Sequence, residues 1–94
     1  MSIADVLDKT GCGRPIDAAA KPPVEKAVSC KIGADGDLAF LWELPSASAA
    51  KSWLAGGGIE IGTTDAVYID GNVIMLATDA ATSKAFAKIG VAYP

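Results

Sequence analysis

Two apolar runs, each introduced by a tight turn and followed by a capped, alanine-rich segment, frame this chain. In residues 38–44, Leu38, Phe40, Trp42 and Leu44 alternate with Ala39, Leu41 and Glu43. That period of two predicts a strand with the first set buried and the second partly covered. Pro45 ends it, and Ser46 or Ser48 caps a helix to about Ala55 whose apolar face is Ala49, Ala50, Trp53 and Leu54. Gly56, Gly57 and Gly58 stop that helix, and Ile59-Glu60-Ile61 reads as a short strand or an extended lead-in. Residues 66–69 and 72–78 then form a hairpin about Asp70-Gly71. Asp79 caps a last helix with Ala81, Ala85, Phe86 and Ile89 as apolar positions, Gly90 closes it, and residues 91–94 form a short tail.

Ahead of this frame, Ser2 caps a two-turn helix with Asp5 in its first turn and Ile3, Val6 and Leu7 on one face, stopped by Gly11 and Gly13. Pro15, Pro22 and Pro23 make residues 12–23 a loop, with room for one helical turn over Asp17 to Ala20. Residues 24–32 read as the first strand, with Val28, Cys30 and Ile32 on one face and Ser29 and Lys31 on the other, and residues 33–36 as a hairpin turn. The order αββαββα predicts a single α+β domain. A leading helix and Cys/Pro-rich arm occupy residues 1–23, a first ββα unit 24–56 and a second 59–90. Both hairpins join one antiparallel sheet, with the helices packed on one face. Lys51 and Trp53 stand at the same offsets from Ser46 as Lys84 and Phe86 from Asp79, which raises a duplication of the ββα unit.

Composition sharpens the picture. Ninety-four residues bury roughly 60–65% of their unfolded surface. Half the chain is hydrophobic, but much of that is alanine, and Trp, Phe, Tyr and Met occur twice each. A core this light calls for a covalent staple. A bond between Cys12 and Cys30 would close a loop worth about 3 kcal/mol; the competing reading is two free, buried thiols in a cytosolic domain. CxxC redox and zinc patterns fail on spacing, and there is no histidine to complete a metal set.

The net charge is −3, with five cations against four acids in residues 1–31 and three against seven in residues 32–94. No basic stripe exists, so phosphate neutralisation on nucleic acid has little to work with. No run approaches a membrane span, and the first residues lack the pattern of a signal peptide. The chain therefore reads either as cytosolic or as beginning after a removed export signal.

Candidate chemistry is thin. Without histidine, no Ser-His or Cys-His pair exists. The closest carboxylate sets, Asp35/Asp37 and Asp65/Asp70, sit in or beside turns, where Asp is favoured for its own backbone hydrogen bonds. The calcium-loop pattern is missing around Asp35. Gly56 to Gly58 follow a helix and precede an extended segment, the wrong order for a phosphate cradle. No catalytic residue, metal site or cofactor is assigned. Trp42 and Trp53 belong to the seam between sheet and helix, the alternative being an exposed aromatic patch for a partner, and Tyr93 is the exposed aromatic of the tail.

The layout resembles a class of small, exported actinobacterial domains, often lipoproteins, with one disulfide. The resemblance rests on Gly11-Cys12-Gly13 after the leading helix, Cys30 in the strand Val28-Ser29-Cys30-Lys31-Ile32, the Trp53-Leu54 pair, and the run from Thr78-Asp79 to Ile89. It covers most of the chain, which departs from the class in a longer Gly-rich connection and in having no lipobox. The resemblance implies an extracytoplasmic location, secreted or membrane-anchored, and no particular activity. Some such lipoproteins are carried by phages, where superinfection exclusion is one role. The expectation is a non-enzymatic interaction domain, such as the soluble part of a lipoprotein, that binds a protein or cell-envelope component. The alternative is a cytosolic small-molecule-binding or regulatory module, which predicts a concave apolar pocket between sheet and helices and a dimer burying a free sheet edge.

Overall fold

A computed structural model describes residues 2–33 and 36–93. The elements run α1 (Ile3–Thr10), β1 (Gly13–Ala18), β2 (Lys26–Lys31), β3 (Leu38–Glu43), α2 (Ala47–Ala55), β4 (Ala66–Asp70), β5 (Val73–Ala77), α3 (Ala80–Ala87) and β6 (Val91–Ala92). The six strands form one antiparallel sheet in the order β1-β2-β3-β5-β4-β6. The fold is α+β. The expected αββαββα order gains a strand after α1 and another after α3.

Each helix begins where a short polar side chain satisfies its orphan amides. The Ser2 hydroxyl accepts the Asp5 N–H while the Asp5 carboxylate accepts the Ser2 N–H, a reciprocal capping box. Ser46 Oγ accepts the Ala49 N–H at 3.0 Å, selecting Ser46 over Ser48 as the cap of α2. Asp79 Oδ1 accepts the Thr82 N–H at 2.7 Å. Asp5 and Asp79 both hold their carboxyls below the ordinary range, chiefly through the hydrogen bonds they accept at the helix starts, from Ser2 and from Thr82 respectively.

The sheet is covered on both sides. One face carries Val28, Cys30, Leu41, Val73 and Met75, and α1 and α3 cover it with Ile3, Val6 and Phe86. The other carries Ala27, Val67, Ile74 and Leu76, flanked by half-buried Phe40 and Trp42, and α2 covers it with Ala50 and Leu54. Packing all helices on one face is therefore incorrect. The cause lies in β3 and β5, which are apolar at successive positions, so both of their faces must leave water. All five residues of β5 are buried, as befits a strand between two helical layers.

The same arrangement excludes a folded duplication. β3 and β5 are antiparallel neighbours, with β2 and β4 outside them. A two-fold axis normal to the sheet would superimpose the two ββα units and place α2 and α3 on one face. They lie on opposite faces, so the units have opposite hand, and the matching offsets from Ser46 and Asp79 carry no structural repeat. The faces of β3 also reverse their expected weights. Ala39 and Leu41 are fully buried under α1 and α3, whereas Phe40 and Trp42 are half-buried and Leu38 is exposed.

Local expectations are corrected in three places, and at a fourth the structure decides between two readings. Residues 13–18 are an edge strand rather than loop or helical turn: β1 pairs with β2 through Ile16↔Ser29, Asp17↔Val28 and Ala18↔Ala27. Pro15 is tolerated there because an edge strand does not need every amide N–H, and the register slips between Gly13 and Ile16, where Arg14 adopts φ 52°. The tail supplies β6, paired to β4 through Tyr68↔Ala92 and Ile69↔Val91. On α3, Thr82 rather than Ala81 is buried beside Phe86. Ile59 to Ile61 form no strand, and Ile59 packs under α2 as an irregular lead-in.

Candidate functional site

The expected bridge is present. Cys12 and Cys30 form a disulfide with Cα atoms 5.5 Å apart, and both residues are buried. It joins the exit of α1 to β2 and fixes the start of β1, whose side chains are otherwise almost wholly exposed. No helix among the described residues is long and apolar enough to cross a membrane.

Asp65 and Asp70 are not brought together. Asp65 precedes β4 and Asp70 ends it, roughly 15 Å away at the rise of an extended strand. Asp65 Oδ2 instead accepts the Gly62 N–H at 2.9 Å and closes the turn before β4. Asp35 lies outside the described residues. The backbone N–H of Asp37 donates to Asp79 Oδ2 at 3.0 Å, so its neighbourhood contributes to the α3 cap. Among the described residues, no three Asp, Glu, Cys or His side chains gather as metal ligands. The amides of Gly56, Gly57 and Gly58 donate to carbonyls of Ser52, Leu54 and Trp53, which commits all three to ending α2 and leaves none for a phosphate.

What the structure assembles instead are two clefts beside α2. The smaller, about 330 Å³, lies between the arm at Lys21 and Pro22 and the Trp42–Trp53 pair, whose rings meet at 5.7 Å. Phe40 stacks against Trp42 with ring centroids 6.2 Å apart. The aromatic seam expected between sheet and helix is thus real, and half-buried.

The larger cleft, about 580 Å³, opens between α2 and the β4–β6 edge. Its construction follows from three local choices. On α2, Ala50 and Leu54 face the core, so Ala47, Lys51 and Ala55, one turn apart in succession, form the wall. The two alanines do not fill the space. On the sheet, Ile69 makes the floor, and Val91, Ala92 and Tyr93 make the opposite rim. That rim is held by the β4 pairing and by the Tyr93 N–H donating to the Val67 carbonyl at 2.8 Å. Gly90 lets the chain turn from α3 into β6. A Cβ there would stand 2.6 Å from Met75 Cε and 3.2 Å from the Ile69 carbonyl oxygen, so no larger residue fits without displacing the sheet's neighbours.

Val91 is 76% exposed, an apolar side chain left at the mouth of an apolar cleft. Among the described residues, Lys51 is the one charged residue in the lining. In the sequence, Lys51 stood out only by its offset from Ser46, and Val91 only as part of the tail. Neither carries a signal by itself, because the cleft is produced by the pairing of β6 with β4 across a long sequence separation.

The two sheet edges differ in character. β1 carries a proline, a register slip and charged Arg14 and Asp17, all features that discourage strand-to-strand association. β6 carries none of them but is only two residues long.

No protein-family profile, curated protein or solved structure matches the chain.

Proposed function

We propose that this protein is a non-catalytic, extracytoplasmic binding domain that holds an apolar part of a cell-envelope component or protein partner in the cleft between α2 and β6. The observation that carries the reading is the cleft itself: about 580 Å³, floored by Ile69 and bordered by the exposed Val91. Its size falls in the range of about 300–1,000 Å³ usual for ligand sites. The compartment rests on the buried Cys12–Cys30 bridge, since disulfides persist in oxidising environments and are rare in the cytosol. The lipoprotein-like layout of the leading helix, cysteine arm and Asp-capped last helix agrees with that compartment. Superinfection exclusion by a phage-borne lipoprotein is one setting for such a domain.

The carboxylates give catalysis little support. Asp5, Asp65 and Asp79 spend their oxygens on backbone amides, and their pairing with a second acid is not part of the fold.

The test has two parts. Intact mass of protein from its native source, before and after reduction and alkylation, reads the bridge and any processing or lipid. Protection of both cysteines until reduction is expected, and two free thiols would overturn the export reading. Co-sedimentation with envelopes from that source then reads the cleft. An Ala47→Trp substitution, which places an indole in the cleft from an exposed helix position, is expected to release the protein. Retention equal to wild type would remove the cleft from the function.

A further inference from the structure

We infer that the occupant of the α2–β6 cleft is a single-chain amphiphile with an anionic head: the chain lies on Ile69 between the two walls, and the head meets the Lys51 ammonium. This rests on the reading of the cleft as a binding site and names the chemical class of its ligand.

Apart from Lys51 and Tyr93, the described lining is apolar. Ala47 and Ala55 offer methyl groups, while Ile69 and Val91 offer branched side chains. These surfaces gain from burying hydrocarbon and have nothing to hydrogen-bond a polar chain. Alanine on the helix wall leaves open space alongside the sheet, which an unbranched chain can fill.

Lys51 stands midway along that wall, between Ala47 and Ala55. Its charge is not a by-product of a basic surface, because residues 32–94 hold three cations against seven acids. α2 itself has no acid to neutralise it. A lysine carries its ammonium on a long apolar stem, so the stem can extend the apolar wall while the charge stays at the water boundary. An amphiphile has the same division, hydrocarbon below and charge at the rim. A fatty-acid carboxylate and the phosphate of a single-chain lipid share this chemistry.

The experiment uses the full oxidised chain and calorimetric titration with octanoate, decanoate and dodecanoate, each below its micellar concentration, and with decanol as the uncharged match. Affinity is expected to rise about fourfold per added methylene until the cleft is filled. Lys51→Met is expected to weaken decanoate binding about two- to fivefold, the range for a water-exposed ion pair, and to leave decanol unchanged. Ala47→Trp is expected to abolish both, with thermal unfolding confirming that each variant folds. Equal binding of decanoate and decanol, unchanged by Lys51→Met, would overturn the anionic head while leaving the cleft as a binding site. Absence of binding by both, or binding insensitive to Ala47→Trp, would overturn the site as well. Repeating the series with a single-chain phosphate lipid separates the two head-group sources: the tighter binder of the pair, weakened about two- to fivefold by Lys51→Met, is the class the site serves.

Discussion

Breaking the Cys12–Cys30 bond is the most informative single perturbation of this fold. The two residues are 18 positions apart, and a cross-link of that span removes about 3 kcal/mol of conformational freedom from the unfolded chain. Reduction leaves both sulfur atoms in place, so its cost is that loop term. A Cys12→Ala/Cys30→Ala variant adds small voids beside Val28 and Ala39, on the order of 1 kcal/mol more. For a domain of this size each kcal/mol lowers the melting temperature by about 4–8 °C, so reduction is expected to lower it by about 12–24 °C. Urea titrations followed by tryptophan fluorescence, with and without reductant, give the same quantity at constant temperature. Hydrogen exchange supplies a local readout. β1 is held by its pairing to β2 and by the bridge at its first residue, and its side chains bury little. Its amides are expected to lose protection on reduction before those of β3 and β5. A melting temperature that falls by less than about 4 °C, or a β1 that exchanges no faster when reduced, would refute the view that the bridge staples a light core.

Other substitutions probe single contacts. Thr82 is 1% exposed and its Oγ1 has no hydrogen-bond partner, so Thr82→Val, which keeps the shape, is expected to stabilise the domain by about 1 kcal/mol in urea unfolding; a loss of stability would show that the hydroxyl is satisfied. A Cβ at Gly58 would overlap the Trp53 indole, so Gly58→Ala is expected to shift the intrinsic fluorescence by displacing that ring while α2 persists by circular dichroism. Asp79→Ala removes acceptors for the Thr82 and Asp37 amides and is expected to cost about 0.5–2 kcal/mol. Because Asp5 and Asp79 have folded pKa values below their ordinary 3.8, their contribution is present above that value and fades as pH falls through the lower folded one. The stability difference between wild type and a doubly uncapped Asp5→Ala/Asp79→Ala variant is therefore expected to shrink in acid, and a constant difference from pH 7 to pH 2 would contradict the assignment.

What could be read from the sequence was whatever depends on neighbours along the chain. The caps Ser2 and Asp79 and the stop at Gly11 depend on residues within one helical turn, and all three stand where expected. The hairpin of β4 and β5 is equally local, although its two loop residues are Gly71 and Asn72. β1 was illegible because its alternation is weak and its proline argues against a strand; only the bridge and β2 make it one. β6 is too short for any period to show. The assignment of faces failed for a related reason. A strand such as β5, VIMLA, is apolar throughout, so alternation cannot say which side meets which helix. The cleft inherits these gaps, since its rim is β6 and its floor is one face of β4. Lys51 and Val91 acquire their positions from that pairing alone.

The disulfide has a further consequence when the domain is pulled on. Tension entering at α1 and leaving through β3 passes from Cys12 to Cys30 across the sulfur atoms, bypassing β1 and the proline arm. About 60 Å of contour is thereby kept out of the force path, at the extended length of the 18 residue steps between them. Stretching can peel α1 away and separate the strands beyond Cys30, but the arm lengthens only after reduction. A force-extension trace would show that hidden length as a difference between oxidised and reduced molecules, making the bond a mechanical limiter as well as a thermodynamic one.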